Sequence, residues 1–257
     1  MSPAAEPNRG DSAGVPWEGR AFRENPHSGD DGSADPALLA ALSAFHSGQG
    51  DLVAVVDSYR SARLLIPLVA EAGDEGIAPS GLTVDKTQEL SIVTVAAPDG
   101  RKVLPVFTSV TAMGRWDASA RPIPVPGRHT ALAAADDQTD LIVIDPASET
   151  ELVLRRPAVW AIAQDVSWEP SFVSSDVFTG LQESIGQEPA VIDLSVAAGD
   201  PSGRLSGPEL LVRLELMPGL DRAELDAVLA RLAKRWAADD RIATLVDSLN
   251  VSLQRGE

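Results

Sequence analysis

The chain contains three histidines, no cysteine and a scatter of serines and threonines, and any chemistry has to be sought among these first. His27, His46 and His129 lie far apart, and none has a second ligand at helical or hairpin spacing, so no transition-metal site is expected. The lack of cysteine removes disulfides, thiolate metal ligands and cysteine nucleophiles together. A phosphate cradle needs GxGxxG or GxxxxGK[ST] at a strand-to-helix turn, and a serine hydrolase favours a GxSxG elbow; none of the three occurs. Asp136, Asp137, Asp140 and Asp145 cluster, but their spacing does not resemble a calcium loop and fits a solvated connection between a helix and a strand. Lys86 reads as the solvating lysine of a strand approach, and His46 as a charge complementing a helix C-terminus. No catalytic residue, cofactor or metal is expected.

One stretch stands out from the acidic background. Between Phe107 and His129 the chain brings together Phe107, Thr108, Ser109, Trp116, Arg121, Arg128 and His129, with a proline run between the aromatic and basic ends. Aromatic faces beside guanidinium groups suit an acidic or carbonyl-bearing ligand, or a protein partner. The plainer reading makes Phe107 and Trp116 core residues and the arginines ordinary surface.

The elements that would position these residues follow from a chain of 257 residues with 44% hydrophobic and 23% charged residues, an ordinary globular composition whose length exceeds one usual core. The net charge of −17 is spread over the whole chain. Such a balance argues against nucleic acid and against an anionic membrane surface, and no apolar run approaches a membrane span. Residues 1–33 are rich in Pro, Gly and charge and lack a signal-peptide pattern, which gives the expectation of a disordered arm and a cytoplasmic location. Within it, Trp17 and Phe22 are apolar enough to dock on the body or on a partner.

The body reads as α+β, in two small domains of mixed helix and sheet, residues 34–165 and 176–257, joined by a linker over 166–175. Asp35 and Pro36 start a first helix with Leu38, Leu39, Leu42 and Phe45 on its core face. Leu52 to Asp57 and Ala62 to Val69 read as buried strands, and residues 71–82 as a loop. Leu90 to Ala97 and Lys102 to Phe107 flank Asp99-Gly100, which predicts a hairpin with a type I′ turn, and Pro105 puts its strand at an edge or bulge. Val103, Pro105 and Phe107 alternate with Leu104 and Val106, so both faces of that strand should be covered. Ser109 caps a short helix carrying Val110, Met113 and Trp116; residues 121–126 are extended by their prolines and bring Arg128 back toward the same end. A helix over Thr130 to Gln138, strands over Leu141 to Ile144 and Glu151 to Leu154, and a helix over Pro157 to Gln164 close the first domain. The second reads α-β-β-α-β: a helix over Asp176 to Gly186, strands over Val191 to Ala197 and Leu210 to Met217, a helix capped by Asp221 and Glu224, and a strand through Leu249, Val251 and Leu253. The long helix buries Leu225, Val228, Leu229, Leu232 and Trp236 at helical spacing.

Leu104-Pro105-Val106-Phe107-Thr108-Ser109 with Trp116, and Leu141-Ile142-Val143-Ile144-Asp145-Pro146, resemble the N-terminal domain of the SseB family, the enhanced serine sensitivity proteins. The resemblance covers about residues 35–165, and residues 176–257 are more loosely similar to the family's C-terminal domain. Where the family commonly has Asn-Pro after the late strand, this chain has Asp145-Pro146. The resemblance implies an α+β fold with no established catalytic residues.

Three functions are therefore open: a cytoplasmic binding or regulatory protein with an unknown protein partner or small ligand; an enzyme or ligand-binding protein of serine or amino-acid metabolism; and a structural or secretion-linked protein that self-associates. Because residues 1–33 lack a core-forming pattern, limited proteolysis of the full chain should cut there first and leave the body resistant. Initial cuts in the body with the arm intact would contradict this.

Overall fold

The computed structural model describes residues 29–255, apart from 71–74, 78–82, 86–89, 93, 98, 137 and 138. The expected arm up to residue 28, with Trp17, Phe22 and His27, lies outside the described residues, as do Lys86 and most of the expected loop over 71–82. Helices α1 (Pro36–His46) and α2 (Leu52–Ser61) open the body, followed by β1 (Arg63–Ala70), β2 (Glu75–Ile77), β3 (Thr83–Asp85), β4 (Leu90–Ile92), β5 (Val95–Ala96) and β6 (Lys102–Val106). Then come α3 (Val110–Trp116), β7 (Arg121–Pro126), α4 (Gly127–Asp136), β8 (Ile142–Ile144), β9 (Leu152–Leu154) and α5 (Arg156–Gln164). The remainder is α6 (Ser175–Ile185), β10 (Val191–Ala198), β11 (Leu210–Leu216), α7 (Arg222–Ala238), α8 (Asp240–Leu245) and β12 (Leu249–Arg255). The class is α+β, as expected.

The segment after Gly50 corrects the expected strand over Leu52 to Asp57, because it is helical and Asp51 caps it through a hydrogen bond from the Ala54 N–H. Its β-branched residues suggest a strand, but Leu52, Val55, Val56 and Tyr59 fall at i, i+3, i+4 and i+7. Val55, Val56 and Tyr59 are fully buried. Burial of one continuous helical stripe outweighs the few tenths of a kcal/mol by which valine disfavours helix.

Strands β5, β6, β8 and β9 form one sheet, with β6 and β8 parallel, while β1 pairs with β4 on one side and β7 on the other. A bridge between Leu65 and Phe107, with N–H to C=O hydrogen bonds in both directions, joins β1 to the end of β6 and makes the two sheets continuous. Beyond that bridge β1 and β6 splay, and the chain from Leu90 to Ala96 enters the gap: β4 pairs with β1 and β5 with β6. The single strand expected over Leu90 to Ala97 is thus split between two neighbours. By the alternation of backbone direction, Pro105 turns its donorless nitrogen into the gap between the β5 pairing and the Phe107 bridge, so an interior strand tolerates a proline. The turn before β6 also differs from expectation. Ala97 and Arg101 pair across three residues, and of Asp99 and Gly100 only Gly100 has a positive φ, +84°, so the turn is not type I′.

The prolines of β7 sit at alternate positions, and all three nitrogens point away from β1 at the sheet's free edge. Gly127 follows them because a Cβ there would lie 1.9 Å from the carbonyl oxygen of Tyr59. Tyr59, buried below, hydrogen-bonds its hydroxyl to Thr130 of α4.

Helices α1, α2, α4 and α5 cover one face of this sheet, with Leu64, Leu104, Val106, Ile142, Ile144 and Leu152 beneath them. The opposite face is covered at one end by α3, through Phe107 and Met113, and at the other by Leu205. Both faces of β6 are therefore buried, as its apolar alternation predicts, although Leu205 covers part of one face from a loop far along the chain. Leu205 holds φ at +57°, a strained value for leucine, while its N–H donates to Asp200 and its side chain packs on Val103, Val143 and Val153.

In the C-terminal half β10 and β11 are antiparallel and β12 returns parallel to β11. Helix α7 begins in the capping box of Asp221 and Glu224 and buries Val228, Leu232 and Trp236. The indole N–H of Trp236 donates to Ser184 of α6. Helix α8 is an addition to the expected order, capped by Asp239. The segment 166–175 packs Trp168 against the first core and Phe172 against the second.

Arg155, at the N-cap of α5, ties these two cores together. Nη1 donates to Asp247 and Ser248, and Nη2 to Asp200 and the Gly207 carbonyl. Its side chain is 9% exposed, and those of Asp200 and Asp247 are 1% and 2%. Arg101 adds a two-oxygen contact to Asp247, and Arg156 donates to the carbonyls of Ala243 and Val246. Arg155→Ala leaves Asp200 buried without its counter-charge, so a stability loss of about 3–5 kcal/mol is expected in chemical denaturation. A loss under about 1 kcal/mol would show that water replaces the guanidinium. Burial pushes both aspartates up, but their arginine partners outweigh it and hold them below the ordinary 3.8. Their contribution is therefore complete above pH 3.8 and is lost as pH falls through the depressed values, and Arg155→Ala should flatten that acid limb.

Candidate functional site

The carboxyl ends of β6 and β8, parallel neighbours, run out side by side into Thr108 and Asp145, and an open pocket forms between α3 and the turn that follows β8. Thr108 and Asp145 make its floor. The Asp145 N–H is held by the Val106 carbonyl, and φ of +46° at Asp145 and +62° at Ala147 swings the chain around Pro146. The turn closes with Ser148 N–H on the Asp145 carbonyl and Ala147 N–H on Glu151 Oε2.

Asp145 is 2% exposed and organises this floor. Its Oδ1 accepts the Thr108 N–H at 2.8 Å, and Oδ2 accepts the Thr108 hydroxyl at 2.7 Å and the Thr150 hydroxyl at 3.1 Å. Burial raises its pKa, against the opposing pull of those three hydrogen bonds. A hydroxyl donating to a carboxylate has the outline of an activated nucleophile. Thr108 is 3% exposed, however, so neither partner is presented to a substrate. The pair clamps the turn to the strand end.

Ser109 accepts the Ala112 N–H and caps α3, as its position predicts. Phe107 is fully buried with Leu65 and Met113, and Trp116, half-buried, lies on it at 5.3 Å between ring centroids. Val110, expected on the same buried stripe, is 41% exposed. The helix has only seven residues, and its first turn leans on the Gly32 carbonyl, which takes the Val110 N–H.

The structure thus gathers Thr108, Ser109 and Trp116 into the floor and wall of one pocket, while Phe107 lies buried beneath Trp116 and does not line it. Arg121 starts β7 on its exposed edge opposite Leu68. Arg128 and His129 lie in the first turn of α4, and Arg128 donates to the Ala163 carbonyl and faces Asp165 at 3.7 Å, on the α5 side. None of the three lines the pocket. Leu39, expected on the core face of the first helix, lines it with Arg115, Glu149 and Thr150, and none of the four carries a site signal in the sequence. Leu39 is 41% exposed despite its place on the apolar stripe of α1, and Arg115 makes no ion pair among the described residues. Among those residues no group of three or more His, Asp or Glu is placed to hold a metal ion, and no helix is long and apolar enough to cross a membrane.

Asparagine at position 145 would keep the Thr108 N–H acceptor and avoid a buried charge. Because burial raises the Asp145 pKa, wild-type stability falls as pH rises from the ordinary 3.8 through the raised folded value. Asp145→Asn does not share that loss, so its stability relative to wild type should climb across this window and then level off. Urea denaturation at pH 3 to 7 measures it, and a pH-independent difference would show that Asp145 titrates as in the unfolded chain.

Residues 37–161, which include every residue of this pocket except Ala34, match the family model described as the SseB protein N-terminal domain. No curated protein and no solved structure matches the chain.

Proposed function

Since the chain belongs to the SseB family through residues 37–161, we propose that it is a cytoplasmic binding protein that engages a protein partner through the pocket between α1, α3 and the turn after β8. One observation carries this reading: the polar floor is satisfied from within by Asp145, Thr108 and Thr150, while the rim offers Leu39, Trp116 and an Arg115 that makes no ion pair among the described residues. The groups with spare capacity at the rim are therefore apolar side chains, the Arg115 guanidinium and the exposed Glu149 carboxylate, a mix that recognises a surface. An arginine without a carboxylate partner among the described residues, in a chain of net charge −17, favours an acidic flank on that partner.

Leu39→Asp and Arg115→Glu change exposed side chains and should alter stability by no more than about 0.5 kcal/mol. Each should weaken capture of the partner isolated on wild-type protein by at least about tenfold. Arg128→Ala, on the α5 side, should retain it. Capture unaffected by either rim substitution would remove this pocket as the contact, and loss with Arg128→Ala alone would move the contact to α4. Thermal stabilisation by serine or a related metabolite, unchanged by the rim variants, would favour the metabolic reading instead.

A further inference from the structure

A second cavity lies between the two cores, enclosed by the end of α1, the start of α2, β9 and the segment through Trp168 and Phe172. We propose that it binds a small apolar amine, with the ammonium group received by Glu209 and the apolar body held among Phe45, Trp168 and Phe172. This proposal does not depend on the pocket beside α3.

Its volume is about 250 Å³. That exceeds the roughly 150 Å³ that accommodates benzene and falls short of the roughly 300 Å³ at which drug-sized sites begin. The occupant is therefore one ring or a branched chain with a short polar arm. Four charged side chains line the cavity, Asp51, Arg155, Asp200 and Glu209, and their commitments decide its chemistry. Both terminal nitrogens of Arg155 are spent on Asp247, Ser248, Asp200 and Gly207. Asp200 is occupied by Arg155, Ser202, Leu205 and Ser206. Asp51 caps α2 at the exposed end. Glu209 is different: Oε2 accepts the Asp247 N–H, and Oε1 has no hydrogen bond among the described residues.

Glu209 is 8% exposed, and its pKa is raised chiefly by burial, so a carboxyl with a free oxygen faces an apolar space. Beside it Ser171 Oγ is buried, close enough to pull the Glu209 pKa down yet without a hydrogen bond of its own. Ser171 does not line the cavity, so the unused capacity that faces it is the Glu209 oxygen, where buried polar groups are ordinarily satisfied. A ligand N–H₃⁺ supplies the missing donors, and ionising Glu209 against it compensates the buried charge. An anionic ligand meets only carboxylates and a guanidinium already consumed. A neutral alcohol offers one donor and no charge.

The test is calorimetric titration of the full chain with 2-phenylethylamine, 2-phenylethanol and 3-phenylpropionate. The amine should bind with one saturable site, the alcohol at least tenfold more weakly, and the acid not measurably. Glu209→Gln should reduce the amine to the level of the alcohol. Val53→Trp, at a half-buried lining position, should exclude amine and alcohol alike. Leu39→Asp should leave the amine bound, which separates this site from the pocket beside α3. The proposal is overturned by unsaturable amine binding, by equal affinity for amine and alcohol, or by a preference that survives Glu209→Gln. Should Glu209→Gln fail to fold, the wild-type contrast between amine and alcohol together with Val53→Trp decides, and amine binding undiminished by Val53→Trp equally overturns the assignment.

Discussion

The guanidinium of Arg155 is the point on which the two halves of the body depend. A planar fork with fixed donor directions meets two carboxylates, a hydroxyl and a carbonyl that come from two separate segments, the loop between β10 and β11 and the link before β12. Lysine, with one flexible ammonium, does not satisfy that set. Asp200 is in turn positioned by this contact and holds the loop that carries Leu205, so the ion pair and the apolar cover of the first sheet are coupled. Breaking the pair would remove one of the holds on that loop as well as strand a buried charge. Glu188 offers a contrast: its own side chain is 2% exposed, but its partners Arg231 and Arg235 are 51% and 27% exposed. Water reaches that cluster, and its contribution is correspondingly screened.

A second constraint acts inside the first sheet. The Leu65–Phe107 bridge fastens β1 to β6 at one end, and the splaying beyond it admits β4 and β5. Because the chain leaves β6 immediately after the bridge, Thr108 emerges beside Asp145 at the end of β8, and the turn and α3 are anchored to the same place. The pocket is a consequence of parallel pairing. Two strands running the same way deliver both their carboxyl ends, and the loops that follow, to one edge of the sheet.

Within this frame the polar groups fall into two kinds. Thr108, Asp145, Thr150, Arg155 and Asp200 have their hydrogen-bonding capacity consumed by the fold and serve as fixed structure. Among the described residues Arg115, beside Trp116 and Leu39, makes no ion pair and Glu209 Oε1 accepts no hydrogen bond, so these two keep capacity that those residues do not use. That division, more than residue type, separates groups that hold the molecule together from groups available to a partner or ligand.

Local rules were sufficient wherever local physics decides. Asp35, Ser109 and Asp221 cap their helices, Gly100 turns a hairpin, the alternating prolines of residues 121–126 run extended, and the apolar stripe of α7 buries Val228, Leu232 and Trp236 with Leu225 and Leu229 half-buried. Each depends on neighbours within four or five residues, so the amino-acid order alone determines it. The residues of α2 carried two signals, β-branched composition and a 3.6-residue period, and only the core beneath Val55, Val56 and Tyr59 decides between them. The basic residues of the expected patch illustrate the same limit: Arg121 and Arg128 follow Trp116 closely along the chain, but the antiparallel run of β7 along β1 leads Arg128 to α5. Arg155 and Glu209 carried no local signal at all. A buried arginine and a surface arginine look alike in sequence, because what makes Arg155 a clamp is the convergence of Asp200, Gly207 and Asp247 from far along the chain, and only the packed tertiary structure brings those together.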